Sequence, residues 1–212
     1  GGVDLSVGAV MALAGAVAAQ SIVAWGHPAL VAVTLALGVS ILAGAWNGLL
    51  VSKVGIQPIV ATLILMVAGR GVAQLITKGQ IINFDDPVLV YIGNGHLFGL
   101  PFTLALVAIL LGITFVLTRC TALGLFIESV GDNEVASRYS GVSARTVKFA
   151  VYAFAGFCAG LAGLVAAANI KSADANHAGL YLELDAILAV VVGGTALTGG
   201  RFFLLGSIVG AL

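Results

Sequence analysis

Long apolar runs separated by short polar punctuation organise this chain. No charged residue falls between Asp4 and Lys53, and further charge-free runs separate Lys53 from Arg70, Asp86 from Arg119 and Lys148 from Lys171. A hydrocarbon core ~30 Å thick needs about 20 largely apolar residues per helical span, and these runs supply that length repeatedly. The pattern predicts helices over residues 5–25, 29–52, 58–77, 102–118 and 149–168. Gly26-His27-Pro28 ends the first and opens the second, because proline suits a first helical turn and not an interior. Pro58 opens the third in the same way. An apolar segment over 184–197 is broken by Thr198-Gly199-Gly200-Arg201, and a last apolar piece starts at Phe202. Polar stretches over 78–101, 119–148 and 169–183 connect the spans.

Composition turns this pattern into a fold class. Of 212 residues, 60% are hydrophobic and 8% charged, against about 25% charged in a soluble domain. There is too little polar chain to cover so many apolar helices in water. The expected fold is all-α, a polytopic transmembrane bundle with broken or re-entrant helices, forming one transmembrane domain over residues 1–212. Nine basic and nine acidic residues leave no formal net charge, which excludes a nucleic-acid surface built on clustered positive charge. Arg119, Arg138, Arg145 and Lys148 share one connection, and Lys53 lies on the same side by parity. The positive-inside rule then puts 119–148 and 53–57 in the cytoplasm, and 26–28, 78–101 and 169–183 outside. The chain opens on Gly1-Gly2 without an initiator Met and closes on Gly210-Ala211-Leu212 within an apolar pattern. It is therefore expected to be a fragment truncated at both ends.

Glycine is abundant, at 29 residues. The pairs Gly44/Gly48, Gly156/Gly160 and Gly206/Gly210 each put two small residues on one helix face, where neighbouring backbones can pack closely. Cys120 and Cys158 have no metal-ligand spacing and read as apolar filler. His27, His96 and His177 fall in outward loops without nucleophile or carboxylate company, so no catalytic or metal site is expected.

Four places depart from plain apolar helix. In Gly1-Gly2-Val3-Asp4-Leu5-Ser6-Val7-Gly8, Asp4 can cap a helix through a backbone N–H two or three residues on. The paired glycines can equally mark irregular backbone lining a cavity at membrane depth. Arg70 is the one basic residue well inside an apolar run, one turn before Gln74 on the same face. At mid-bilayer it costs at least ~3 kcal/mol, so it must snorkel, pair or face water. Within Gly131–Val142, Asp132 or Asn133 can cap a short helix and Gly141 can end it in the left-handed conformation. Two turns of helix are marginal alone in water. The small apolar face of Val135, Ala136, Tyr139 and Val142 is better matched to a protein partner than to lipid. Finally, Glu183 and Asp185 can start a helix favoured by its dipole. Gly193-Gly194 and Gly199-Gly200 bracket a short apolar segment that suggests a broken span.

These motifs, in this order, resemble the permease subunits of ribose-, xylose- and galactose-type sugar ABC importers, and in detail those of a galactofuranose importer. The likeness covers Gly-Gly-Val-Asp-Leu-Ser-Val-Gly, Asn47-Gly48-Leu49-Leu50, Thr62-Leu63 and Arg70-Gly71. It continues through Gly131-Asp132-Asn133-Glu134-x-Ala136-x-Arg138-x-Ser140-Gly141-Val142, Glu183-Leu184-Asp185-Ala186-Ile187 and the two Gly-Gly pairs. Where that family has a small residue and a glycine after the last pair, this chain has Arg201-Phe202-Phe203. The resemblance implies a permease of about ten spans, about seven of them here, in the bacterial inner membrane. It also implies a second permease subunit (homo- or heterodimer), a cytoplasmic ABC ATPase, a periplasmic sugar-binding protein and a sugar substrate. No cofactor is implied for this chain, because ATP would be used by the partner and no Gly-x-x-x-x-Gly-Lys-Ser/Thr loop is present. Asn133, Glu134, Ala136, Arg138, Ser140 and Gly141 would couple to the ATPase. Asp4, Ser6, Asn47, Arg70 and Gln74 would line the translocation path, and Gly1, Gly2, Glu183, Asp185, Gly193, Gly194, Gly199 and Gly200 would break or gate helices. An ion- or proton-coupled secondary transporter is the alternative; it needs ionisable residues deep in the spans, and Arg70 alone qualifies.

Overall fold

The computed structural model describes residues 2–97 and 99–212. Gly1, one of the expected helix-breaking glycines, lies outside them. The described residues are overwhelmingly helical, as the apolar runs require. Four helices are long and apolar enough to cross a membrane. These are α2 (Ala29–Leu49) with its π-helical extension to Val54, α3 (Pro58–Thr77), α5 (Phe102–Phe115) with a similar extension to Cys120, and α8 (Ala144–Ile170). Shorter are α1 (Val7–Val23), α9 (Leu182–Val192) and α10 (Leu204–Ala211). The expectation of about seven spans thus resolves into four full-length helices and three short ones.

α1 is the hub. Every residue from Gly8 to Ala19 is buried, enclosed by α2, α3 and α8, as befits a helix apolar on all sides. Its neighbours approach closely because the facing residues are small. Gly163 of α8 meets the Met11 backbone, and Gly15 lies against Ala167. α2 and α8 pack antiparallel, with Ser40 against Gly160 and Gly44 against Gly156. All three expected glycine pairs sit in such contacts, the third pairing Gly206 with Gly193 and Gly210 with Ala189 across α9 and α10. Apolar surface exposed on α5 and on the outer faces of α2 and α3 is where lipid would lie.

The polar stretches hold more structure than their composition suggests. In the outer one, Asp86 caps α4 (Pro87–Asn94) by accepting from the Val88 and Leu89 N–H groups. β1 (Ile82–Asn83) pairs antiparallel with β4 (Ser172–Ala173), and β2 (His96–Leu97) with β3 (Leu100–Pro101). The first pairing places 78–101 and the start of 169–183 at one end of the bundle, as their common outward assignment requires. In the connection after α5, α6 (Ala122–Asp132) precedes α7 (Glu134–Tyr139), and α8 begins at Ala144, earlier than the expected Phe149. Ser143 caps it through the Thr146 N–H.

Two further boundaries need correction. α1 starts at Val7, not Leu5, because the preceding residues are bonded in a turn. The apolar segment expected over 184–197 is helical only from Leu182 to Val192. It stops at Gly193, whose carbonyl and α-carbon lie against Gly206.

A β-carbon on Gly44 would strike the Tyr152 carbonyl and come within 2.9 Å of the Gly156 α-carbon. Gly44→Ala should therefore destabilise the bundle by about 1–3 kcal/mol through overpacking. Gly38→Ala, on the same helix but facing open space, should be neutral or stabilise by up to about 1 kcal/mol. Thermal unfolding of the two variants in detergent micelles compares them directly.

Candidate functional site

One crossing of the bundle is only half helical. After α8 ends at Lys171, held in the left-handed region at φ 53°, the chain forms β4 and then runs without regular structure to Tyr181. This segment does not stay at the outer surface, where the polar stretch 169–183 was expected. It descends along α1: Ala173 packs near Gly15, Ala175 lies in the cluster of Ala12–Ala18, and Gly179 touches Gly8. Seven residues of α1 separate the first and last of these contacts, a descent of about 10 Å. From Tyr181, also left-handed at φ 65°, α9 continues for ~16 Å, too short to cross alone. The Gly200 backbone then meets Gly131 at the end of α6. The Gly-Gly pairs fall in the turn between α9 and α10, whereas the unwound half of this crossing precedes α9, where no Gly-Gly pair marks it.

Non-helical backbone at this depth must find its hydrogen bonds within the protein. Arg70 provides them. Its Nη1 donates to the carbonyls of Ala175 (3.2 Å), Asn176 (3.2 Å) and Ala178 (3.0 Å). One turn on, Gln74 Nε2 donates to Asn176 Oδ1 at 2.9 Å, and Asn176 Nδ2 to the Gly79 carbonyl at 3.3 Å. Asp174 accepts from the N–H groups of Asn176 and His177. Of the options open to Arg70, pairing prevails, and its partners are carbonyl oxygens. Those partners were not legible in the sequence, because backbone acceptors leave no trace in residue identity.

At the foot of α1, Asp4 Oδ1 accepts from the Ser6 N–H (2.8 Å) and hydroxyl (2.6 Å), and Ser6 Oγ accepts from Asn47 Nδ2 (3.0 Å). Asp4 therefore fixes the turn before α1 and Ser6 occupies the cap position. Ser6 and Asn47 are 2% and 0% exposed, so in this arrangement they tie α2 to the foot of α1 and do not face open space. Glu183 stands across from them, 7% exposed, with Oε2 buried and without a hydrogen-bond partner. A β-carbon on Gly8 would lie 2.6 Å from that oxygen, so the carboxylate rests beside the positive end of α1. Gly8 and Gly179 permit this approach. Asp185 is exposed, and Gly2 lies against the Tyr152 hydroxyl. Gly8, Tyr152, Asp174, Asn176 and Gly179 are site residues that spacing alone did not single out.

The second cluster lies in the connection between α5 and α8. Asn133 breaks α6 with an extended backbone (φ −149°, ψ 102°) and caps α7, its Oδ1 accepting from the Ala136 N–H at 3.0 Å. Gly141, at φ 82°, ends the turn, and the Val142 N–H reaches back to the Ser137 carbonyl. Glu134 binds Lys148 of α8 at 2.5 Å and Arg138 at 3.4 Å. The Lys148 hydrogen bond, with smaller contributions from both positive charges, outweighs desolvation and holds the Glu134 carboxyl below its ordinary value. Ala136, Arg138, Ser140 and Gly141 are exposed, as are Val135 (62%) and Tyr139 (90%). A capped helix of six residues thus presents an aromatic ring and an aliphatic side chain to its surroundings.

The family model described as branched-chain amino acid transport system / permease component matches residues 1–212. Among curated relatives, the galactofuranose transporter permease protein YtfT of Escherichia coli strain K12 is 57% identical over 212 residues, covering all of this chain and 62% of that protein. The fructose import permease protein FruF of Bifidobacterium longum is 44% identical, covering all of this chain and 60% of that protein. The ribose import permease protein RbsC of Haemophilus influenzae is 38% identical, with 100% and 66% covered. The chain therefore spans less than two thirds of the length of these relatives. No solved structure matches it.

Two outcomes follow from this geometry. Arg70→Met removes a charged donor from three carbonyls and should destabilise the bundle by about 3 kcal/mol or more, seen as a lower unfolding temperature in micelles. Glu134, whose carboxyl is depressed on folding, stabilises the α7–α8 tether above its ordinary value of 4.5. That contribution is lost as pH falls through the lower folded value. Amide exchange across 134–140 should be unchanged from pH 7 to 5 once corrected for intrinsic rates, and accelerate in stronger acid.

Proposed function

The chain belongs to the branched-chain amino acid transport system / permease component family, and on that premise we propose that it forms the membrane-spanning part of an ATP-driven, binding-protein-dependent importer of a monosaccharide. The substrate class rests on relatives whose names specify galactofuranose, fructose and ribose. The energy coupling rests on one observation above the rest: α7, a capped helix of six residues with Tyr139 and Val135 exposed in a connection rich in basic residues. An element so short persists by docking, and its chemistry suits a groove on a cytoplasmic ABC ATPase. A second permease subunit, identical or not, and a periplasmic sugar-binding protein complete the assembly. The sugar would pass beside the broken span, which Asp4, Ser6, Asn47, Arg70 and Gln74 brace, while Gly2, Glu183, Asp185 and the glycines at 193, 194, 199 and 200 permit its rearrangement.

One observation favours a different reading. Glu183 is a buried carboxylate with a free oxygen beside a helix terminus, the kind of group a proton-coupled transporter uses. Uptake of labelled monosaccharide by proteoliposomes separates the two. The importer requires ATP inside and a binding protein outside, whereas uptake driven by a proton gradient without ATP would establish the alternative. Gly141→Asp or Glu134→Lys should abolish co-purification of the ATPase while membrane insertion stays intact. Wild-type yield of the ATPase with either variant would remove the docking role of α7.

A further inference from the structure

The α9–α10 pair forms a hairpin closed by Gly193 against Gly206 and Gly210 against Ala189. It is bounded by glycines in the left-handed region: Gly179 before α9, and Gly194, Gly199 and Gly200 between the helices. At its upper end Glu183 and Gly179 rest on Gly8. At its loop end Arg119 contacts it. Arg119, at the end of the α5 extension, donates from Nη2 to the Phe202 carbonyl at 3.0 Å. Its guanidinium lies over the Phe202 ring, 5.3 Å from the centroid. Its Nη1 pairs with Glu128 of α6 at 3.6 Å. Beside this contact, Gly131 abuts Gly200 so closely that a β-carbon on Gly131 would lie 2.9 Å from the Gly200 nitrogen. Thr195 Oγ1 accepts from the Phe203 N–H at 3.1 Å and closes the loop.

α6, which carries Glu128 and Gly131, leads through Asn133 directly into α7. A displacement of α7 can therefore reach the hairpin through Gly131 and Arg119, where α6 and the hairpin loop meet. We propose that Arg119 is a positioning residue: it latches the α9–α10 hairpin to α6 through Phe202, so that movement of the docking helix moves the broken span. The coupling half of this inference rests on the docking role of α7; the latch itself does not. Arg suits the position because its planar cation can lie over a ring while donating to a carbonyl and a carboxylate, which a lysine ammonium cannot do together.

A nitroxide on a cysteine at Val209, an exposed site on α10, reports the latch in the full chain in nanodiscs. Arg119→Ala should sharpen its spectrum, Phe202→Leu should sharpen it less because the carbonyl acceptor remains, and Arg201→Ala, the neighbouring exposed arginine, should leave it unchanged. Should Arg119→Ala fail to reach the membrane, Arg119→Lys tests the same contact. In the assembly with ATPase and binding protein, Arg119→Ala should lower uptake per ATP hydrolysed about tenfold, the scale of one lost charge-assisted hydrogen bond, with ATPase association unchanged. An unaltered spectrum in Arg119→Ala overturns the latch. A loosened hairpin with wild-type uptake per ATP overturns the coupling role. A wild-type chain that binds no ATPase overturns the docking reading and the coupling half with it, while the spectrum still decides the latch.

Discussion

A stretch of backbone that leaves helical geometry among apolar helices has to satisfy its carbonyls there, and Arg70 meets that requirement with one side chain. Three carbonyls of the 175–178 turn converge on its Nη1. The arrangement serves both partners: a guanidinium inside an apolar span needs acceptors, and carbonyls outside a helix need a donor. Gln74 and Asn176 extend the contact to the level of Gly79. Removing Arg70 leaves three carbonyls of the unwound half without their donor from α3, and the placement of α9 below it depends on that half.

The rest of the bundle is built on small residues. Lipid offers no hydrophobic drive for helices to associate, so close packing must supply it. Gly15 and Gly163 let α8 close on α1, and Gly44 and Gly156 let α2 and α8 meet beside it. The same economy of size appears where α9 joins α10, and where Gly8 faces Gly179. At the foot of α1, Asp4, Ser6 and Asn47 bond one another, while Glu183 Oε2, Asn47 Oδ1 and the Tyr152 hydroxyl are buried without partners.

Much of this was legible in the sequence, and the rest was hidden for definite reasons. Charge-free runs located α2, α3, α5 and α8, because spanning length and apolarity are properties of composition. The capped helix at 134–139 could be read from Asn133 and Gly141, because caps and left-handed ends have strong residue preferences. The descent of residues 174–181 could not, since their polarity suggests an outer loop and only a distant arginine makes their burial tolerable. The bonds that Asp4, Ser6, Asn47 and Arg70 make within the bundle were likewise not legible, since their polarity in apolar spans reads only as a polar lining. α6 was missed because its helix lies within a connection whose basic residues mark it as cytoplasmic without marking its shape. Tyr181, left-handed without being glycine, carries no sequence signal at all.

The central claim is that the 175–178 turn is sealed at depth by Arg70. A cysteine placed at Ala175, which is 1% exposed, tests it when treated in intact membranes with an impermeant thiol reagent from the outer face. The account predicts negligible labelling with Arg70 present and rapid labelling when Arg70→Ala is combined with it. Rapid labelling in both backgrounds would place the turn in the outer aqueous phase and contradict the account.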